Sequence, residues 1–129
     1  MTINLNSYSI VGYADMEEFV KRTLLYDFYG ELLTQRQQEI YESVVLEDYS
    51  LSEVAQEQKI SRQSVHDMIR RCDKILAGYE EKLHLVERFL KTKADVEKIR
   101  TLAEELTAGR VEQVRGEILS LTDRILEEL

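Results

Sequence analysis

The chain has no proline and no tryptophan, and only five glycines and one cysteine in 129 residues. With so few turn-forming residues, a fold of short strands joined by tight hairpins is not the expected reading. A single cysteine cannot close an internal disulfide, so the fold does not depend on an oxidising compartment and a reduced cytosol is expected. Also missing is any apolar run near the ~20 residues that span a bilayer, and the opening residues lack the basic, then apolar, then small-residue order of a secretory signal. A soluble cytoplasmic protein without a membrane partner is therefore expected. Basic residues are the minority: 17 Lys and Arg stand against 25 Asp and Glu, a net charge of −8. That balance argues against indiscriminate attraction to nucleic acid or anionic lipid, so any polyanion binding has to come from a local patch.

What is present points to an all-α protein. Hydrophobic residues make up 43% and charged residues 33%, enough for one ordinary domain, or a small domain with a helical extension. Residues 1–15 contain no Lys or Arg and keep no single hydrophobic period. They read as a loose leader, with Met16 a candidate natural start; the competing reading is an ordered arm docked by Ile10, Val11 and Tyr13. From Met16, Phe19, Val20, Thr23, Leu24, Phe28, Leu32 and Leu33 recur at three- and four-residue steps, predicting a helix that stops near Leu33. Thr34 with Gln37 forms a capping box that opens a second helix carrying Ile40, Val44 and Val45. Asp48, Tyr49 and Ser50 break that pattern. Ser50 with Glu53 is a second box, opening a short helix over Leu51–Gln58 with Leu51, Val54 and Ala55 facing inward.

After Ser61 the longest periodic run begins, from Val65 through Met68, Ile69, Cys72, Ile75, Leu76, Tyr79, Leu83 and Val86 to Leu90. It predicts a helix of roughly thirty residues from Arg62 to Lys91, on the order of 45 Å long. Gly78 is its weak point, where glycine costs about 1 kcal/mol relative to alanine and a bend or break is the expectation. The tail carries two narrow seams, Val96, Ile99, Ala103 and Leu106, then Val111, Val114, Ile118, Leu121 and Ile125 at heptad spacing. Gly109 lies between them and is suited to a left-handed helix end. An antiparallel hairpin is expected, or a segment that packs on the long helix or on another subunit. The domain division expected is a leader (1–15), a helix-turn-helix domain (16–78) and a C-terminal helical extension (79–129).

A short helix, a turn of a few residues and a serine-capped helix with polar first turns is the layout of a helix-turn-helix. In such a unit the N-terminal residues of the second helix face base edges while the first crosses the phosphates. Ser61, Arg62, Gln63, Ser64, His66, Asp67, Arg70 and Arg71 avoid or flank the apolar stripe and are the candidate nucleic-acid-binding residues, together with Lys74. Arginine can grip guanine and glutamine can grip adenine by two hydrogen bonds each, while Arg70, Arg71 and Lys74 suit phosphates. Between Ser61 and Gly78 four basic residues oppose Asp67 and Asp73, so the segment is net +2 within an acidic chain.

The run LTQRQQEIYESVVLEDYSLSEVAQEQKISRQSVHDMIRR is similar to the promoter-binding helix-turn-helix of sigma factors, with a Leu-Thr-x-Arg helix start, an Asp-Tyr-Ser-Leu first helix and an Ile-Ser-Arg-Gln second helix. With LLYDFYGELLT before it and RRCDKILAGYEEKLHLVERF after it, the chain more closely resembles the YlxM family of small bacterial helix-turn-helix proteins, over about Met16 to Phe89. The resemblance implies a sigma-region-4-like, winged-helix-like head followed by a long helix and a C-terminal helical hairpin. It also implies a DNA-binding regulator of, or within, the signal recognition particle pathway, with double-stranded DNA and particle components as partners. Residue by residue it carries over to Ser50, Leu51, Glu53 and Ala55 on the first helix, and to Ser61, Arg62, Gln63, Val65, Arg70 and Arg71 on the second. Lys59 departs from the glycine common in repressor-type turns, which argues against the tight-turn version.

Two functions follow. One is duplex DNA binding through Ser61–Lys74, by a homo-oligomer paired through the long or C-terminal helices, since one monomer offers few base contacts. The other is a protein or RNA contact module of the same pathway, which the net charge favours. Catalysis is not supported: Glu17-Glu18, Glu80-Glu81, Glu104-Glu105 and Glu127-Glu128 are sequence neighbours about 100° apart on a helix, and no nucleophile motif or phosphate loop occurs. No cofactor is expected. Nor is a metal, because His66, Cys72 and His84 along one helix cannot close a tetrahedral set. Cys72 is expected to be buried, and Glu80 reads as surface pairing with His84. Tyr26, Phe28 and Tyr29 read as core packing or, alternatively, an exposed interface.

Overall fold

The computed structural model describes Tyr13, residues 16–106 and residues 109–129. Six α-helices follow in order: α1 (Glu18–Tyr29), α2 (Gln35–Tyr41), α3 (Leu51–Gln58), α4 (Arg62–Leu83), α5 (Leu85–Glu104) and α6 (Val111–Glu128). A 3-10 turn, Gly30–Leu32, closes α1, and a widened π turn, Glu42–Leu46, closes α2. The described residues contain no strand, so the wing implied by the resemblance is not among them. Of the expected leader only Tyr13 is described; it packs against the core, with the Lys21 ammonium 5.3 Å from its ring centre. Ile10 and Val11 lie outside the described residues.

The helix starts lie where local hydrogen bonding can satisfy the free amides of a first turn. At Thr34 the box is complete: its hydroxyl accepts from Gln37 N–H at 3.2 Å and the Gln37 side chain accepts from Thr34 N–H at 2.9 Å. Ser50 makes only the forward half of the expected box, accepting from Glu53 N–H at 3.1 Å. Ser61 accepts from Ser64 N–H at 3.0 Å. The pattern break at Asp48 is a backbone one, since Asp48 takes a left-handed φ of 60°.

Helices α1, α2, α3 and α4 and the start of α5 enclose one core, in which Leu24, Ile40, Val65, Cys72, Leu76 and Val86 are fully buried. The aromatic cluster packs within it. Tyr26 stacks on Tyr41, Phe28 meets Phe89 and Tyr29 stacks on Tyr79. Phe19 and Leu32, assigned to the inward stripe, are instead exposed. Both lie at the ends of the α1 segment, where the helix face turns past the last residue it can cover.

The long helix does not break at Gly78. It runs through that residue, which is flanked by packed Leu76 and Tyr79, and ends at His84, whose φ of 56° is left-handed. The cause is Glu80. It is 5% exposed, not a surface partner of His84, and its carboxylate accepts from Tyr29 Oη at 2.6 Å, Val86 N–H at 2.9 Å and Glu87 N–H at 3.1 Å. Tyr29 Oη in turn accepts from Leu85 N–H at 3.1 Å. A side chain from the end of α4 thus caps the start of α5, and a carboxylate there also suits the positive end of the helix dipole. Burial, then the bond to Glu80, pushes the Tyr29 hydroxyl up to about 12.

Helices α5 and α6 form the expected antiparallel hairpin. Asp95, 7% exposed, takes both ends of the Arg124 guanidinium, and Lys91 pairs with Glu128 at 3.0 Å. Val114 and Leu121 are buried between the helices, but Val96, Ala103 and Leu106 of the first seam and Val111 of the second stay exposed. Gly109 has no positive φ, because α5 ends earlier, at Glu104, on a cap residue of ordinary negative φ. No helix among the described residues is long and apolar enough to cross a membrane.

Candidate nucleic-acid interface

The turn between α3 and α4 is built on Lys59, with φ 58° and ψ 43°. Its N–H and that of Ile60 both reach the Ala55 carbonyl, the latter at 3.0 Å. This is the tight, left-handed turn that the missing glycine argued against. A lysine there gives up roughly 1–2 kcal/mol, which the doubly bonded carbonyl and the inward packing of Ile60 offset. Val54, Ala55, Val65 and Ile69, all buried, hold the two helices against each other.

Seen down α4, the buried residues Val65, Ile69, Cys72 and Leu76 mark one side. At 100° per residue, Gln63, Asp67, Arg70 and Lys74 fall on the opposite side, with Arg71 beside them and Ser64 and His66 on the flanks; Arg62, seven residues before Ile69, stands on the packed side but at the open start of the helix. Ser61, Arg62, Gln63, Ser64, His66, Asp67, Arg70, Arg71 and Lys74 are all exposed. The Gln63 amide donates to Asp67 at 2.9 Å, so two groove-type side chains hold one another along the helix.

The charge of this face differs from a simple count along the segment. Asp73 is turned from it toward α1, where Arg22 donates through Nε at 3.2 Å and Nη2 at 2.5 Å and the buried Tyr41 hydroxyl donates at 2.6 Å. Asp67 is then the only carboxylate left among four cations on the segment. Neither Arg22 nor Tyr41 carried a signal in the sequence, because both are 32 or more positions from Asp73. Burial holds Tyr41 well above the usual tyrosine range and pushes the Cys72 thiol up to about 11, the neighbouring Asp73 adding to both.

Glu80, His84 and Glu87 bring ligand-type atoms within 4.8 Å of one another, but the Glu80 oxygens already serve Tyr29 and the α5 amides. His66 and Cys72 do not join them. The periodicity hid this cluster because it straddles the break at His84.

A short helix and a serine-capped second helix crossing over a buried Val-Ala-Val-Ile contact, joined by a left-handed turn, define an all-α helix-turn-helix protein. Residues 16–114 match the family described as "Putative helix-turn-helix protein, YlxM / p13 like", and the chain belongs to that family. It is similar to a UPF0122 protein of Desulforamulus reducens, 37% identical over 88% of this chain and 97% of the relative. A UPF0122 protein of Thermoanaerobacter sp. is 41% identical over 88% of this chain and 94% of its own. The UPF0122 protein YlxM of Bacillus subtilis is 39% identical over 72% of this chain and 90% of its own.

Proposed function

We propose that this chain is a binding protein, not an enzyme, and that it reads duplex DNA with the first turns of α4 in the major groove and α3 across the backbone. The observation that supports this most is the exposed row Gln63, Asp67, Arg70 and Lys74, opposite a fully packed face, on a chain that is otherwise strongly acidic. Arg62 and Gln63 are the base-reading pair, and Arg70, Arg71 and Lys74 hold phosphates. Asp67 suits the exocyclic amino group of cytosine and disfavours phosphate, so it favours selection over tight general binding.

The test is selection from a random duplex pool followed by salt titration of the chosen site. Arg62→Ala with Gln63→Ala costs about 1–3 kcal/mol of discrimination per lost base contact, and Lys74→Ala lowers the salt slope by about one. Failure to enrich any duplex at low salt overturns the reading. The net charge favours a second reading, a protein or RNA contact within the signal recognition particle pathway, with which the resemblance connects the chain. It is tested by pull-down of particle RNA and protein on the full chain; a weak duplex binder that retains a particle component supports it.

A further inference from the structure

Among the described residues, the α5–α6 hairpin leaves one apolar face uncovered. Val96 is 52% exposed, Leu106 46%, Leu119 48% and Leu126 62%, with Ile118 and Ile125 half-buried beside them. Their placement is not scattered. On α5 the exposed row stands one residue on from the row that meets α6, Val96 after Asp95 and Ala103 after Leu102. On α6 it stands four or five residues on, Ile118 and Leu119 after Val114, Ile125 and Leu126 after Leu121. Both rows are therefore turned in the direction of increasing residue number by about a quarter-turn on average. Because the helices are antiparallel, that rotation brings both rows to one side of the hairpin. On the opposite side, charged and polar residues such as Glu97, Lys98, Glu117 and Ser120 rim a groove over Leu102 and Leu121.

We propose that this face pairs with the same face of a second copy, giving an antiparallel four-helix bundle with α5 of each chain over α6 of the other. Two arguments choose a second copy. The first row steps by three and four residues (Val96, Ile99, Ala103, Leu106) and the second by seven (Val111, Ile118, Ile125), spacings with which helices pack on helices. The charges of the two helices are also complementary: α5 carries five cations against four carboxylates, and α6 carries two against five. A two-fold axis along the hairpin puts each basic helix over an acidic one, whereas the crosswise two-fold stacks like on like. The Asp95–Arg124 and Lys91–Glu128 bonds fix the register, so Val96 is level with Asp123 and Arg100 with Leu119. Across the interface, Arg100 of one chain and Asp123 of the other then stand about one helical turn apart along the axis, on the same rim.

The proposal does not depend on DNA binding. Sedimentation equilibrium of the full chain is expected to give a dimer. Val96→Asp with Leu126→Asp is expected to give a monomer of unchanged helicity. Arg100→Asp and Asp123→Arg each weaken the dimer about tenfold, and the double exchange restores it at low salt. A wild-type monomer at high micromolar concentration overturns the proposal, whether the face is then covered by the chain's own N-terminal residues or by another protein. A dimer that tolerates both aspartates overturns it equally, since it must form elsewhere.

Discussion

The helical head and the tail hairpin solve the same problem differently. In the head, bulky side chains are wholly enclosed and their polar atoms are paired: Tyr29 with Glu80, Tyr41 with Asp73, Asp73 with Arg22. Beyond Val86, the buried residues are only Asp95, Val114 and Leu121 among those described, and large aliphatic side chains face outward. Two helices lying side by side can shield only one narrow stripe each, whereas four around a centre shield most of each other. The head is therefore self-sufficient, and the hairpin is a surface looking for cover.

The largest expected effect is in a matched pair. Leu76→Ala, at a fully buried site in the head, is expected to cost about 3–5 kcal/mol in urea unfolding, and Leu121→Ala in the hairpin about 1–2. Equal losses would erase the contrast. Glu80→Ala, which orphans two amides and a tyrosine hydroxyl at the joint, is expected to cost about 3 kcal/mol, and Glu80→Gln much less, because an acceptor oxygen remains. Tyr29 sharpens the comparison through pH. Its proton is held more tightly in the folded state, at about 12 against 10.0, so its contribution is complete below pH 10 and is lost as pH climbs toward 12. That is on the order of 2–3 kcal/mol. Urea midpoints taken from pH 9 to 12 should fall, and Tyr29→Phe should flatten the fall. The smallest change expected is a gain: Lys59→Gly relieves the left-handed turn and raises stability by about 1 kcal/mol or less, read as a rise in Tm.

Much of the head was legible because its signals are local. Thr34, Ser50 and Ser61 announce helix starts within three residues, and the three-four spacing from Val65 to Leu76 names the buried side of α4. Exposure of Gln63 and Arg70 follows from that spacing alone, whereas Arg62, three residues before Val65, is exposed because it begins the helix. Glu80 was misread for the opposite reason. A glutamate four residues before a histidine looks like surface pairing until the chain turns back and delivers three donors to it, one of them from Tyr29, 51 positions away. Gly78 misled because propensity ranks residues singly, while Leu76 and Tyr79 hold that turn in place through contacts no window contains. Lys59 misled in the same way: its left-handed conformation is imposed by the two helices it joins.

The joint at His84 has a mechanical consequence. A single left-handed residue separates α4 from α5, and the Glu80 carboxylate clasps the first amides beyond it. There is no slack of the kind a glycine-rich connector provides. The hairpin is a lever whose fulcrum is one side chain, so torque applied to it by anything that grips it is delivered to α4, at whose other end Gln63 and Arg70 stand.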